Sequence, residues 1–313
     1  MAVALETQAK ALTPEHGFSV SEGADWSKYA AYRPTYPHSF FKHIYDYHAS
    51  KPQAAWSRAH DVGAGAGIVS ATLATGFGHL VVSDPNDGYT VLARRILVEE
   101  LHIPEAKLEF LQEPAEKSSV ESGVVDLITA CEMIQWTDTD AAVRDFHRQL
   151  QPGGTLAVTS YTRPRIVGNE RAQRAWQAIF SAYSKKTRGL GDLYDSAFKT
   201  INSALENVAL PETHWTGVRR IYINAGGSVE SFRIDERVGE SRVGKGEEKI
   251  WKDEDEDWTD VKNIAWFKAY FATWVPHTPE HEIQGLWDDL ESSLNGGDVK
   301  IETPIVLVFA TKA

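Results

Sequence analysis

The run Asp61-Val62-Gly63-Ala64-Gly65-Ala66-Gly67, with Asp84 at the end of the next apolar stretch, constrains this chain more than any other segment. Glycines alternating with alanines leave a main chain that a ligand can approach closely, since no long side chain stands in the way. A carboxylate one strand further on can accept both hydroxyls of a ribose. Together they read as a strand, turn and helix that hold a nucleoside. The spacing narrows the choice, because a dinucleotide fingerprint needs a further glycine three residues after the second, and Ile68 stands there. No Walker-type lysine follows. The turn therefore suits S-adenosylmethionine rather than NAD.

The pattern around the turn is repetitive. Aromatic and apolar positions at helical spacing predict a helix over 37–47, and the first strand runs into Asp61. Helices are expected over 67–73, 89–101 and 141–150, and strands over 79–83, 108–111, 124–130 and 155–160, with Pro152-Gly153-Gly154 stopping the last helix. Such alternation requires a parallel sheet covered on both faces, with its ligand at the carboxyl ends of the strands. Asp61, Asp84, Glu132 and Ser160 all fall at or just beyond those ends. Beyond Ser160 the alternation weakens. Helices are predicted over 172–183, 195–208, 264–274 and 280–294, and strands over 218–224 and 301–311, where Pro304 suggests an edge or a strand start.

Composition bounds the function. A chain of 313 residues, 42% of them hydrophobic, can bury one large core or a core plus a cap. A formal charge of −12 with no basic patch argues against nucleic acid, and the acidic run 252–257 reads as a solvated segment. No apolar run is long enough to span a bilayer, and residues 1–23 lack a signal or transit pattern. Cys131 is the sole cysteine, so no internal disulfide forms. A cytoplasmic protein, monomer or homodimer, is expected.

Several stretches carry a family likeness. Lys28-Tyr29-Ala30-Ala31-Tyr32-Arg33-Pro34-Thr35-Tyr36-Pro37 and Asp126-Leu127-Ile128-Thr129-Ala130-Cys131-Glu132-Met133-Ile134-Gln135-Trp136, with Tyr161 and Thr273-Trp274, resemble class I methyltransferases, specifically the branch of trans-aconitate 3-methyltransferase and its fungal small-molecule relatives. The branch's fourth-strand motif ends in Glu, two variable residues, His and Trp. Here Glu132 and Trp136 match, and Gln135 replaces the histidine. The fold expected is α/β: a Rossmann-like, doubly wound, mostly parallel sheet of seven strands, with a helical, aromatic cap inserted after strand five. The expected divisions are an arm over 1–25, a cofactor core over 26–162, a substrate cap with remaining core elements over 163–295, and a closing strand over 296–313.

The resemblance implies that Tyr29 and Arg33 sit over the methionine end of S-adenosylmethionine, Arg33 pairing with its carboxylate. It also implies that the stretch 108–116 reads the adenine through Ala115 and Glu116, with Pro114 in the usual acidic place. Asp61, Gly63, Gly65, Gly67, Asp84, Asn86, Cys131 and Glu132 complete the expected cofactor set, and Gln135, Trp136, Tyr161, Arg163 and Trp274 the substrate set.

Methyl transfer from a sulfonium is an in-line displacement driven mainly by alignment. A base is needed only where the acceptor is protonated. Gln135 cannot be that base but can orient an acceptor oxygen, which favours a small carboxylic acid methylated to its ester. Arg163 and Arg165, just past the fifth strand, are the cations placed to hold such an anion. A hydroxyl or amine acceptor, or cofactor binding without transfer, are the alternatives. His214, His277 and His281 read as surface or packing residues, and no metal is expected. Trp251, Trp258, Trp266, Phe267, Tyr270, Phe271 and Trp274 form either core or a pocket wall.

Overall fold

The computed structural model describes Tyr29, residues 31–86 and residues 88–313. The arm expected over 1–25 lies outside the described residues, as do Lys28 and Ala30 of the quoted motif. Helix α1 (His38–Ala49) buries Phe40, Phe41, Ile44 and Tyr47 on one face. There follow β1 (Arg58–Val62), α2 (Ile68–Gly76), β2 (His79–Ser83), α3 (Tyr89–Arg94), β3 (Leu108–Leu111), β4 (Val125–Cys131), α4 (Thr139–Gln149) and β5 (Leu150–Tyr161). Helix α3 is shorter than expected because the chain widens into a π-helical turn over Arg95–Glu100.

Strands β1 to β5 pair in parallel in the order β3-β2-β1-β4-β5. Succession runs outward in both directions from β1 and β4. The order therefore reverses between them, and a crevice opens at their carboxyl ends.

After β5 come β6 (Arg165–Ile166), α5 (Glu170–Thr187), α6 (Asp192–Asn202), β7 (Trp215–Ile223), β8 (Glu248–Lys252), β9 (Thr259–Lys262), α7 (Ile264–Phe271), α8 (Gln284–Leu294), β10 (Val299–Glu302) and β11 (Ile305–Lys312). Among the described residues the main sheet has eight strands rather than seven, ordered β3-β2-β1-β4-β5-β11-β7-β8. The unexpected one is β8, parallel to β7 at the sheet edge. All its residues but Ile250 are exposed, and three of the five are charged, so it carries no apolar run to betray it. Charges on an edge also discourage a further strand from adding there.

The chain's final strand departs from expectation too. Pro304 has no N–H for a ladder, and the chain divides at that point. β10 joins β6 and β9 in a separate three-stranded antiparallel sheet, whereas β11 enters the main sheet between β5 and β7, antiparallel to both. Pro304 thus marks a strand start, and the strand it precedes is interior, not an edge. Along β11, Val306, Val308 and Ala310 pack into the core on one face, and Ile305, Leu307 and Phe309 into the core on the other. A period of two puts successive side chains on opposite faces, and a strand covered on both sides needs an unbroken apolar run.

Helices α1 and α2 cover one face of the sheet, and α4 the other. A third cluster joins α5, α7 and α8 beside the small sheet, centred on the fully buried Trp176, Phe180, Phe267 and Trp287. Each such ring contributes about 1.5–3 kcal/mol by leaving water. No helix among the described residues is long and apolar enough to cross a membrane.

Helix α6 ends at Asn202, short of the predicted 208, because Ala204 and Leu205 turn left-handed at φ 49° and 61°. Arg220, wholly buried on β7, satisfies the loop this creates. It donates to the carbonyls of Leu205 (2.8 Å) and Val208 (2.9 Å) and to the Glu247 carboxylate (2.5 Å), itself 2% exposed. Replacing Arg220 by Met leaves the Glu247 charge buried without its cation, with only the Gly244 amide still bonded to it, and the expected loss is about 3–5 kcal/mol, read as a lowered midpoint in urea unfolding.

Candidate active site

The crevice holds a cavity of about 610 Å³. Its floor is the glycine turn. Gly63 and Gly65 have φ of 63° and 54°, in the left-handed region that favours glycine, and a Cβ on Gly63 would lie 2.6 Å from Met133 Cβ. Asp61, just before the turn, is bonded at both oxygens, to the Ser70 hydroxyl of α2 (2.6 Å) and the Thr129 hydroxyl of β4 (2.7 Å). It lines the cavity, but its side chain fastens three elements together.

Asp84 also lines the cavity. It sits at the end of β2, where Oδ2 accepts the Gly65 amide (3.0 Å) and Oδ1 accepts the Asn86 amide (2.9 Å) and side chain (3.0 Å). Burial pushes both Asp61 and Asp84 up to about 6, against the hydrogen bonds that lower them.

Arg33 forms the opposite wall. Its guanidinium lies 4.9 Å from the Tyr29 ring, 5.5 Å from Tyr270 and 4.9 Å from Trp274, and donates to the Thr273 carbonyl at 3.1 Å. Burial alone would lower its pKa, but Tyr29, Tyr161, Tyr270 and Glu132 more than offset this and hold it above its ordinary value. Arg33 Nε and Trp274 Nε1 are buried donors without a partner. Two idle donors beside a fixed cation suit a carboxylate.

Glu132 follows β4 in a left-handed conformation (φ 55°) and accepts the Tyr161 amide at Oε1. Burial pushes its carboxyl up to about 7. Gln135 Nε2 donates to the Glu132 carbonyl (3.0 Å), while its Oε1 is buried without a donor. Burial likewise pushes the Cys131 thiol up, keeping it protonated.

Of the residues singled out in the sequence, Tyr29, Arg33, Asp61, Gly63, Gly65, Asp84, Asn86, Ala115, Glu116, Cys131, Glu132, Gln135, Trp136, Tyr161 and Trp274 all border this one cavity. Gly67 does not. It caps α2 from below at φ 83°, where a Cβ would press on Leu97 at 3.1 Å.

Arg163 is also elsewhere, 8% exposed, with its guanidinium over Phe180 (5.7 Å), in a separate cleft of about 210 Å³ beside Arg165 and Arg233. Arg165 pairs with Glu302 at 2.9 Å. The chain after Tyr161 turns away from the crevice into β6, which carries both arginines off the rim.

Of the C-terminal aromatics only Trp274 reaches the cavity; Trp251 stacks on Tyr222 (4.2 Å) and Trp266 on Tyr270 (5.0 Å). His214, His277 and His281 do not line it, and the described residues contain no group of three metal-ligating side chains.

Sequence reasoning missed Tyr36, Tyr89, Met133, Tyr183, Phe198 and Ile201 as lining residues. Tyr36 was visible inside the Arg-Pro-Thr-Tyr-Pro stretch. The others are apolar positions on helices or turns, with nothing local to set them apart from core.

Residues 60–158 match the family described as a methyltransferase domain. Methyltransferase cfoB of Aspergillus candidus is 31% identical over 94% of this chain and 97% of its own length. The chain belongs to the S-adenosylmethionine-dependent methyltransferases. Methyltransferase ptaI of Pestalotiopsis fici, another relative, is 29% identical over 97% of this chain and 98% of its own. A solved structure from Anaeromyxobacter dehalogenans, named for a type II methyltransferase, shares the fold at a TM-score of 0.58 and 16% identity, covering 88% of this chain and 97% of that one. S-adenosylmethionine is the methyltransferase's cofactor, and the glycine turn, Asp84 and the idle donors at Arg33 and Trp274 fit its adenosine and its methionine carboxylate.

With Asp84 as the expected acceptor of the ribose hydroxyls, a role that needs its ionised form, affinity for S-adenosylhomocysteine should fall as pH drops through about 6. Asp84→Ala should weaken binding by about 1.5–3 kcal/mol, the worth of a hydrogen bond to a charged group. Calorimetric titration across pH checks both.

Proposed function

We propose that this methyltransferase alkylates a hydroxyl of a small, largely aromatic molecule. The observation that carries the reading is the make-up of the cavity beyond the glycine turn. Tyr183, Phe198 and Trp274 form a contiguous aromatic wall, with Tyr183 6.2 Å from Phe198 and 5.5 Å from Trp274, and Ile201 and Leu193 beside them. Flat apolar surfaces of this kind favour a ring system.

Charge argues against the carboxylate acceptor expected from sequence. Asp61, Asp84, Glu116, Glu132 and Asp138 line the cavity, and Arg33 is the one cation that does so among the described residues. With Arg163 outside it, an anionic acceptor would leave water to sit among carboxylates, and Arg33 would have to serve both it and the methionine carboxylate.

The residues divide the work. Asp84 and the Gly63–Gly65 turn hold the adenosine, Ala115 and Glu116 border the adenine, and Arg33 with Tyr29 and Trp274 takes the methionine carboxylate. Elements 163–295 that pack over the crevice act as a substrate cap. When bound, S-adenosylmethionine supplies an electrophilic methyl group. The protein contributes alignment of the acceptor oxygen behind that methyl and exclusion of water by the aromatic wall. The Glu132-to-Trp136 motif, with Gln135 for histidine, supports a place beside the trans-aconitate branch's fungal relatives. The lone Cys131 and the charge of −12 suit a cytoplasmic setting.

Incubation with S-adenosylmethionine and a panel of phenols, aromatic acids and amines checks the reading by release of S-adenosylhomocysteine. The expected products are aryl methyl ethers that survive mild base. A product that yields methanol under mild base is an ester, and would restore the carboxylate acceptor.

A further inference from the structure

Gln135 carries a lone pair that nothing in the protein uses. Its bond to the Glu132 carbonyl fixes which amide atom is which, because a carbonyl accepts only from the NH2 group. Oε1 therefore faces the other way, buried without a donor on a residue 4% exposed that lines the cavity. A ligand group satisfies it only by bringing a donor. A hydroxyl does so and a carboxylate does not. On the hydroxyl reading above, the acceptor thus binds protonated, and its proton must leave during transfer.

Among the described residues no histidine or lysine lines the cavity, so the proton has to go to a carboxylate. Asp61 is committed to Ser70 and Thr129, and Asp84 to Gly65 and Asn86. Asp138 is exposed and caps α4, and Glu116 receives the Asp138 amide on the same rim. Glu132 remains. It is partly open to the cavity, it belongs to the same short turn as Gln135, and its left-handed backbone holds it there against Tyr161.

We propose that Glu132 is the general base: as the methyl carbon bonds to the acceptor oxygen, the O–H bond breaks, its proton passes to the Glu132 carboxylate, and the electron pair of the cleaved carbon–sulfur bond stays on sulfur. Burial lifts the carboxyl to about 7, while the Tyr161 amide, Arg33 and the Ser160 hydroxyl restrain the rise. The other titratable groups that couple to it are Tyr36, Tyr161, Tyr270 and Cys131, all held protonated by burial. A base poised there is about half ionised at neutral pH and still able to keep a proton.

Glu132→Gln preserves the shape and an oxygen for the Tyr161 amide, and kcat is read at saturating S-adenosylmethionine so that any change in cofactor affinity drops out. With an ordinary phenol the variant should lose about 10²- to 10⁴-fold in kcat. With a polynitrated phenol, ionised throughout the assay range, most of that deficit should vanish. Wild-type kcat at saturating S-adenosylmethionine should show an acid limb at or below about 7 that the variant lacks.

A readout independent of turnover is the affinity of an ordinary phenol bound beside saturating S-adenosylhomocysteine. It should weaken in wild type as pH drops through about 7, where Glu132 takes a proton of its own and no longer accepts the phenol's, and stay level in the variant. Equal losses with both phenols, no loss, or the same pH course of phenol binding in both proteins would overturn the base while leaving hydroxyl methylation standing. A wild type that makes only base-labile esters would overturn both.

Discussion

Both oxygens of Asp61 are spent inside the protein, and the geometry of the crevice depends on it. One bond reaches Ser70 in the first turns of α2 and the other reaches Thr129 on β4. The carboxylate thereby fastens the strand before the glycine turn to the helix after it and to the strand across the sheet's reversal point. A buried acid so engaged is satisfied without water. The main chain of Gly63 and Gly65 is left bare toward the ligand, and Asp84, tied to the Gly65 amide, keeps the turn at a fixed distance from β2.

The parts of the molecule legible beforehand are those where local chemistry and position coincide. The glycines of the turn declare their backbone requirement directly, and Gly63 has no room for a Cβ against Met133. Apolar runs of four to seven residues located β1 to β5 because strands buried on both faces tolerate little else. The same logic failed at β8, whose charged, exposed residues look like loop, and at Pro304, where a single apolar run belongs to two sheets. Arg163 misled for a different reason. Its distance along the chain from β5 is short, but the direction taken by the backbone after Tyr161 is a tertiary property that no spacing rule reveals. The aromatic wall was equally hidden, since Tyr183 and Phe198 have the helical spacing of ordinary core residues.

Electrostatics then shape the cavity's selectivity. A chain of net charge −12 directs five of its carboxylates into one crevice and answers them, among the described residues, with a single arginine. Such a field favours a cationic sulfonium over an uncharged competitor and penalises an anion arriving second. Burial raises Asp61, Asp84 and Glu132 above the ordinary carboxylate range, and at Asp61 the neighbouring Asp84 charge adds to the rise.

Arg33 reaches across 240 positions of sequence to the carbonyl of Thr273 and lies against the Trp274 ring. The guanidinium proposed to take the methionine carboxylate and one panel of the proposed acceptor enclosure are therefore tied together. On that reading, drift at Trp274 during divergence of this lineage would disturb the guanidinium and tax donor affinity, whereas the guanidinium over Phe198 on α6 is that of Arg237, which does not line the cavity. New acceptor preferences should arise on the α6 side first, with the Trp274 side held back by its second duty.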